Sequence, residues 1–185
     1  MRLNGTPTLY TDRLLLRRYR LEDAQAAFSL WKKDTWDETL TGFSAHNSLK
    51  DTEKLIAAWI ECYQSPNVLR WAICNQEGWI GDIGVTQWQP AHNSCELAFC
   101  LAESARHKGY MPEVLRAVTT YLFESVGFHR IALKVFPQNI SCKSVAERSG
   151  FTLEGRLCDA FFHGDGVYSD ILLYGLISTA HPSKT

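Results

Sequence analysis

No CxxC pair, no HxxxH or HExxH spacing and no GxxxxGK[ST] loop occurs in these 185 residues. The first absences remove the common zinc arrangements, and the last removes the P-loop nucleotide site. No run of about 18 apolar residues is present, so no membrane-spanning helix is expected. The start, MRLNGTPTLYTDR, lacks the apolar core of a secretory signal, which fits a cytoplasmic protein. Neither sign of charge is in excess: 19 Lys and Arg stand against 20 Asp and Glu, a formal net charge of -1. Nucleic acid and anionic membranes are therefore not expected as partners. Six cysteines, at 62, 74, 95, 100, 142 and 158, are expected as buried reduced thiols, not as a disulfide framework. His92–Cys95, "HNSC", is expected in a surface turn, and no metal is expected.

What is present is 45% hydrophobic residues, enough for one domain with a buried core. "RLLLRRY" alternates as a strand, and Leu21, Ala24, Phe28 and Trp31 then recur at helical spacing. "WKKDTWDETLTGFSAHNS" is polar and is expected to be mainly loop. Leu55, Ile56, Trp59, Ile60 and Tyr63 form a helical stripe, with Ser48 and Asp51 as a capping pair at its start. "VLRWAIC", "WIGDIGVTQW" and "CELAFCL" follow as strands, with turns at "NQEG" and "QPAHNS". Gly81 and Gly84 mark a bulge or a close approach. Met111, Val114, Leu115, Val118, Tyr121 and Leu122 line one face of a helix ending near Gly127. "RIALKVF" is a strand, and "NISCKSVAERSGF" a short helix closed by Gly150 and Phe151. Two strands flank "HGDG". The order βααβββαβαββ describes one α/β (α+β) domain with no repeat and no linker, parallel in its middle and antiparallel before it.

One stretch asks for a function. "RHKGYMPEVL" puts Arg106, His107 and Lys108 before Gly109, directly ahead of a helix. A helix N-terminus presents free N–H groups and about half a positive charge. Gly109 lets the backbone approach a ligand closely, and Pro112 suits the first helical turn. With the basic side chains added, this is a site for a phosphate or pyrophosphate. Alone, the stretch is equally a basic turn before a surface helix.

It does not stand alone. "CELAFCL", "ARHKGYMPEVL" and "RIALKVFPQNISCKSVAERSGF", with the closing "YSDILLYGLI", resemble the GNAT superfamily of acetyl-CoA-dependent N-acetyltransferases. The closer resemblance is to its RimJ/RimL branch, whose founding members acetylate ribosomal-protein N-termini. It runs from Thr11 to Ile177. It implies a GNAT-like single domain over 11–178, with residues 1–10 as an N-terminal extension and 179–185 as a flexible tail. It also implies a central mixed twisted sheet of about seven strands, flanked by about four helices. The family's fourth and fifth strands, here "CELAFCL" and "RIALKVF", splay apart to hold CoA.

The resemblance assigns residues. Arg106 and Gly109 match the first and fourth positions of the pyrophosphate motif Q/R-x-x-G-x-G/A, with His107, Lys108, Tyr110 and Met111 in the same loop. Met111 stands where a small residue is usual. Backbone groups near Cys100 and Leu101 would hold the pantetheine arm and polarise the thioester carbonyl. Asn139 matches an asparagine near that arm. Cys142 replaces a serine that protonates the departing thiolate in relatives, or is a packed small residue. Only a neutral amine attacks, so a base is sought. Glu96 is the first candidate and Asp159 the second, with Glu96 equally readable as a structural carboxylate. The acceptor would enter past Trp36, Phe43 and His46. Tyr168 and Asp170 either line its groove or fix the sheet. The acceptor is expected to be a protein or peptide N-terminal α-amine; a small-molecule amine and a non-catalytic CoA-binding module are the alternatives. Dimers are common in the branch, though no feature of the sequence specifies an interface.

Overall fold

A computed structural model describes residues 5–35 and 37–178, with the side chain of Leu40 outside the description. The expected tail, 179–185, lies outside the described residues, as does Trp36. The strands are β1 (Leu9–Tyr10), β2 (Leu15–Arg17), β3 (Arg70–Asn75), β4 (Gly78–Gln89), β5 (Ser94–Leu101), β6 (Arg130–Val135), β7 (Thr152–Gly164) and β8 (Val167–Ile177). They form one eight-stranded sheet in the order β1-β2-β3-β4-β5-β6-β8-β7. The strand beyond the expected seven is the two-residue β1, in the segment assigned to the N-terminal extension. That extension is packed down. Thr6 donates to the carbonyl of Val68, and Pro7 accepts from the Trp71 indole.

The helices are α1 (Ala24–Trp31), α2 (Glu38–Thr41), α3 (Leu49–Cys62), α4 (Tyr110–Thr120) and α5 (Ile140–Arg148). The segment expected as loop contains the single-turn α2, capped by Asp37 and closed by Gly42 at φ 70°. Ser48 accepts from the Asp51 N–H and starts α3 as expected. α4 runs into a π-helical turn, Tyr121–Val126, which ends at Gly127 with φ 90°. The stripe read from sequence is its buried face: Met111, Val114, Leu115, Val118 and Leu122. Gly150 closes α5 at φ 86°, and the Phe151 N–H turns back to the Ala146 carbonyl.

Two cores sandwich the sheet. α4 and α5 cover one face, where Leu97, Ile131 and Leu133 meet Val114, Leu115 and Ala146. α1 and α3 cover the other, where Ala27, Trp31 and Ile56 meet Ala72 and Cys74. Of the six free thiols, Cys62 and Cys158 are exposed, against the expectation that all are buried. Cys62 ends the outer face of α3 and Cys158 lies on the edge strand β7, two places where hydrophobic spacing does not imply cover.

Among the described residues seven strand pairings build the sheet, and only β5–β6 is parallel. Its register is short: Ser94, Cys95 and Glu96 face Arg130, Ile131 and Ala132, and the pairing stops there. Both strands continue, β5 on β4 as far as Leu101 and β6 on β8 as far as Val135. Gly81 is a close-approach glycine, since a Cβ there would collide with the backbone carbonyl of Cys100. β4 is bulged at two places: beside Gly81, where Ile80 is the extra residue against β3, and between Val85 and Gln87 against β5.

Gly81→Ala should therefore push β4 off β5. The expected loss is about 2–3 kcal/mol of stability, seen as a lower urea midpoint at unchanged slope. A midpoint equal to the wild type's would show that the strands can give way freely.

Candidate active site

Where β5 and β6 part, the sheet opens onto a cavity of about 710 Å³. β5 contributes Glu96 to Cys100, β6 Leu133 to Val135, and the start of α5 its cap Asn139 and first-turn Cys142. The far side is aromatic: Trp31 and Trp59 from the helical layer, Phe43 and His46 from the loop after α2, and Phe136 and Phe161. Gly42 allows this closure, because a Cβ there would stand 2.9 Å from the Phe161 ring.

Four charged side chains line the cavity, and all are paired. Lys134 reaches across the split to Glu96, Nζ to Oε2 at 2.9 Å. Arg70 pairs with the buried Asp82, whose other oxygen accepts from the Cys100 thiol at 3.2 Å. Burial, reinforced by the Asp82 charge, pushes the Cys100 thiol well above its ordinary value, so it stays protonated. Burial also pushes the Cys142 thiol up to about 12. His46 is held through Nδ1 by Thr52 at 2.6 Å and stands edge-on to Trp31. Its desolvation lowers its pKa from 6.5.

The loop before α4 lies outside the residues that line the cavity. Arg106, His107, Lys108 and Gly109 are exposed there. His107 at φ 60° and Gly109 at φ 75° both take the left-handed conformation, a kind of backbone from which anion-binding concavities are built. The Arg106 Nε closes the loop onto the Leu101 carbonyl at 3.1 Å. Met111 departs from its assignment: its side chain is buried in the core with Val114 and Leu115, so only its backbone can face a ligand. Arg13, which the sequence did not single out, straps the loop. Its guanidinium donates to the Lys108 carbonyl, pairs with Glu113 and stacks over Tyr110 at 4.6 Å. Burial works against the Glu113 carboxylate, but hydrogen bonds from Thr11 and Arg13 outweigh it and hold its pKa below the usual value.

Among the assigned residues, the structure gathers Glu96, Cys100, Asn139, Cys142, Phe43 and His46 around one cavity. The Asn139 side chain also caps α5, accepting from the Cys142 N–H at 3.0 Å. Asp159 and Tyr168 stand away from the cavity. β7 carries two extra residues between Leu157 and Phe161, with Asp159 at φ 46°, and Leu157 and Phe161 on either side of this bulge line the cavity. The Asp159 N–H donates to Asp170, which also pairs with Arg156, so this group fixes the hairpin. Tyr168 stacks on Phe162 on the exposed side. The sequence reading missed Arg70, Asp82 and Lys134, although charged residues inside "VLRWAIC", "WIGDIGV" and "RIALKVF" were a signal. Among the described residues no group of three or more His, Cys, Asp or Glu is placed to hold a metal ion. None of their helices is long and apolar enough to cross a membrane.

A mixed sheet parted at the parallel β5–β6 pairing, with paired carboxylates in the opening and a basic left-handed loop at the next helix, defines an acyltransferase domain of the GNAT type. The chain belongs to the acetyltransferase (GNAT) domain family, whose model matches residues 13–152. It is 29% identical over 147 residues to the ribosomal-protein-serine acetyltransferase of Escherichia coli (strain K12), covering 79% of this chain and 82% of the relative. It is 27% identical over 173 residues to YoaA, an uncharacterized N-acetyltransferase of Bacillus subtilis (strain 168), covering 92% of this chain and 97% of that one. In fold it resembles RimL, a ribosomal L7/L12 alpha-N-protein acetyltransferase solved with coenzyme A, at a TM-score of 0.83 and 23% identity over 95% of this chain and all (100%) of that one. It also resembles the microcin C7 self-immunity acetyltransferase MccE, solved with acetyl-CoA and AMP, at a TM-score of 0.80 and 21% identity, covering 96% of this chain and 100% of that one.

The environment of His46 makes a prediction. Burial disfavours its charged form, so its NMR titration midpoint should lie below 6.5, with Asp51 opposing part of the shift. Because the folded value is the depressed one, His46 weakens folding as pH falls below 6.5. A midpoint at or above 6.5 would place the imidazole in solvent, outside the cavity wall.

Proposed function

We propose that this acetyltransferase binds acetyl-CoA in the opening between β5 and β6 and transfers the acetyl group to the α-amine of a protein or peptide N-terminus. The observation that carries this reading is the end of the β5–β6 ladder at Glu96 and Ala132, which leaves the next residues of both strands without each other as partners. The chain's features fit the cosubstrate. The left-handed pair at His107 and Gly109 and the start of α4 suit the pyrophosphate. The cleft beside Cys100 suits an extended arm. The E. coli relative and the RimL fold support a protein α-amine as acceptor.

Acetyl-CoA supplies the thioester that the amine attacks. Arg106, Lys108 and the N–H groups at the start of α4 hold phosphate, and backbone near Cys100 polarises the thioester carbonyl. An α-amine has a pKa of about 8 and needs little deprotonation at neutral pH. Glu96 takes its proton through a water, because its own oxygen is engaged by Lys134. Transfer from the Cys142 thiol, at about 12, to an ordinary thiolate of about 8.5 is uphill, so the proton that the attacking amine gives up is the better source for the departing thiolate. The raised Cys100 and Cys142 thiols also make a ping-pong route through an acyl-enzyme unfavourable. A small-molecule amine is the second reading, favoured by the closure of one side of the cavity where Gly42 packs on Phe161 and Phe136.

Calorimetry should show acetyl-CoA binding at micromolar affinity, about -8 kcal/mol, lost in Gly109→Trp. Absence of binding by the wild type would end the acetyltransferase mechanism for this chain. Incubated with acetyl-CoA alone, the protein should show no acetyl adduct by intact mass. Cys142→Ala and Cys100→Ala should each release thiol at close to the wild-type rate with a seryl peptide. A stable adduct, lost in either variant, would restore the covalent route.

A further inference from the structure

The acceptor side of the cavity presents donors in place of free carboxylates. Arg70, at the start of β3, lays its side chain across β4 where Gly84 leaves room; a Cβ at Gly84 would stand 3.0 Å from its Nε. Its guanidinium lies 4.2 Å from the centre of the Trp59 ring. One nitrogen, Nη1, pairs with Asp82, and the guanidinium makes no other hydrogen bond to a described residue. None of its nitrogens is sealed away from solvent without a partner, and Arg70 lines the cavity. A planar fork with one tine occupied therefore faces the space where the acceptor must sit.

The carboxylates are each already paired with a cation. Asp82 spends one oxygen on Arg70 and the other on the Cys100 thiol. Glu96 is engaged by Lys134. The charged lining is two cations and two anions, Arg70 and Lys134 against Asp82 and Glu96, a net of zero. A polycationic acceptor finds no unpaired anion here. An acceptor with a carbonyl oxygen beside its amine finds a charged donor and an aromatic wall.

We propose that Arg70 is a specificity determinant that donates to the first carbonyl oxygen of the acceptor, restricting the enzyme to α-amino-acyl compounds: peptide N-termini and amino-acid amides. This rests on the N-acetyltransferase reading above and names the chemistry that its acceptor side selects. Asp82 holds the guanidinium against Trp59, and Arg70 acts on binding and orientation, with no part in proton transfer.

The test is thiol release from acetyl-CoA with serinamide and with 2-aminoethanol, which keeps the amine and hydroxyl and lacks the carbonyl. Serinamide's less basic amine gives it some intrinsic advantage, so the ratio of kcat/KM values is compared between proteins. The double variant Arg70→Gln/Asp82→Asn keeps an amide pair and leaves no buried lone charge; Arg70→Lys keeps the charge and loses the fork. The wild-type ratio should fall about tenfold in the double variant and by less in Arg70→Lys, through a raised KM for serinamide, with acetyl-CoA affinity unchanged. An unchanged ratio in both variants overturns the role of Arg70 alone. A wild type that binds acetyl-CoA and uses neither amine overturns the α-amine acceptor and this inference together.

Discussion

The cleft depends on a backbone hydrogen-bond ladder that stops early. Strand N–H and C=O groups need partners, and a buried edge without them is unfavourable. Here β5 and β6 keep their outer ladders, with β4 and β8, and share only three register positions with each other. From below, Leu97, Ile131 and Leu133 are fixed in the core under α4 and α5. The opening is thus set by packing and register and does not need a mobile loop. Backbone groups left over in such an opening are an extended template for a chain-like ligand.

The charges follow from the same opening. Lys134 and Glu96 sit on the two strands that separate, so their ion pair spans the gap the backbone leaves. Arg70 and Asp82 belong to β3 and β4, adjacent antiparallel strands, and Asp82 faces Cys100 in the β4–β5 register. Ion pairs this buried contribute little net stability, because desolvation offsets their attraction. Their consequence is geometric: they fix which polar groups remain available to an acceptor, and they keep isolated charge out of a cavity walled by Trp31, Trp59, Phe136 and Phe161.

Local patterning carried most of the elements. The stripe from Met111 to Leu122 is the buried face of α4 and its π-helical turn, and Ser48, Gly127 and Gly150 mark ends where they were expected. Cross-strand relations were not legible. Arg70 and Asp82 are twelve positions apart, and only the β3–β4 register brings them together. Asp159 lies off the cavity for a related reason. In a regular strand Asp159 would share a face with Leu157 and Phe161, but it sits in the β7 bulge between them, at φ 46°. Phe161 reaches the cavity that Asp159 was assigned to.

Met111 departs from the motif Q/R-x-x-G-x-G/A, and the structure gives the departure a physical account. A bulky residue at the sixth position would obstruct a ligand only if its side chain turned outward. Met111 is one residue into α4, and helical side chains there follow the apolar face, so it packs with Val114 and Leu115. His107 holds a left-handed position, which costs an L-residue about 1 kcal/mol. Arg13 opposes that cost by donating to the Lys108 carbonyl while anchored on Glu113 and Tyr110. The loop keeps the backbone shape that glycine would otherwise allow, held from outside by a side chain nearly a hundred residues away in sequence.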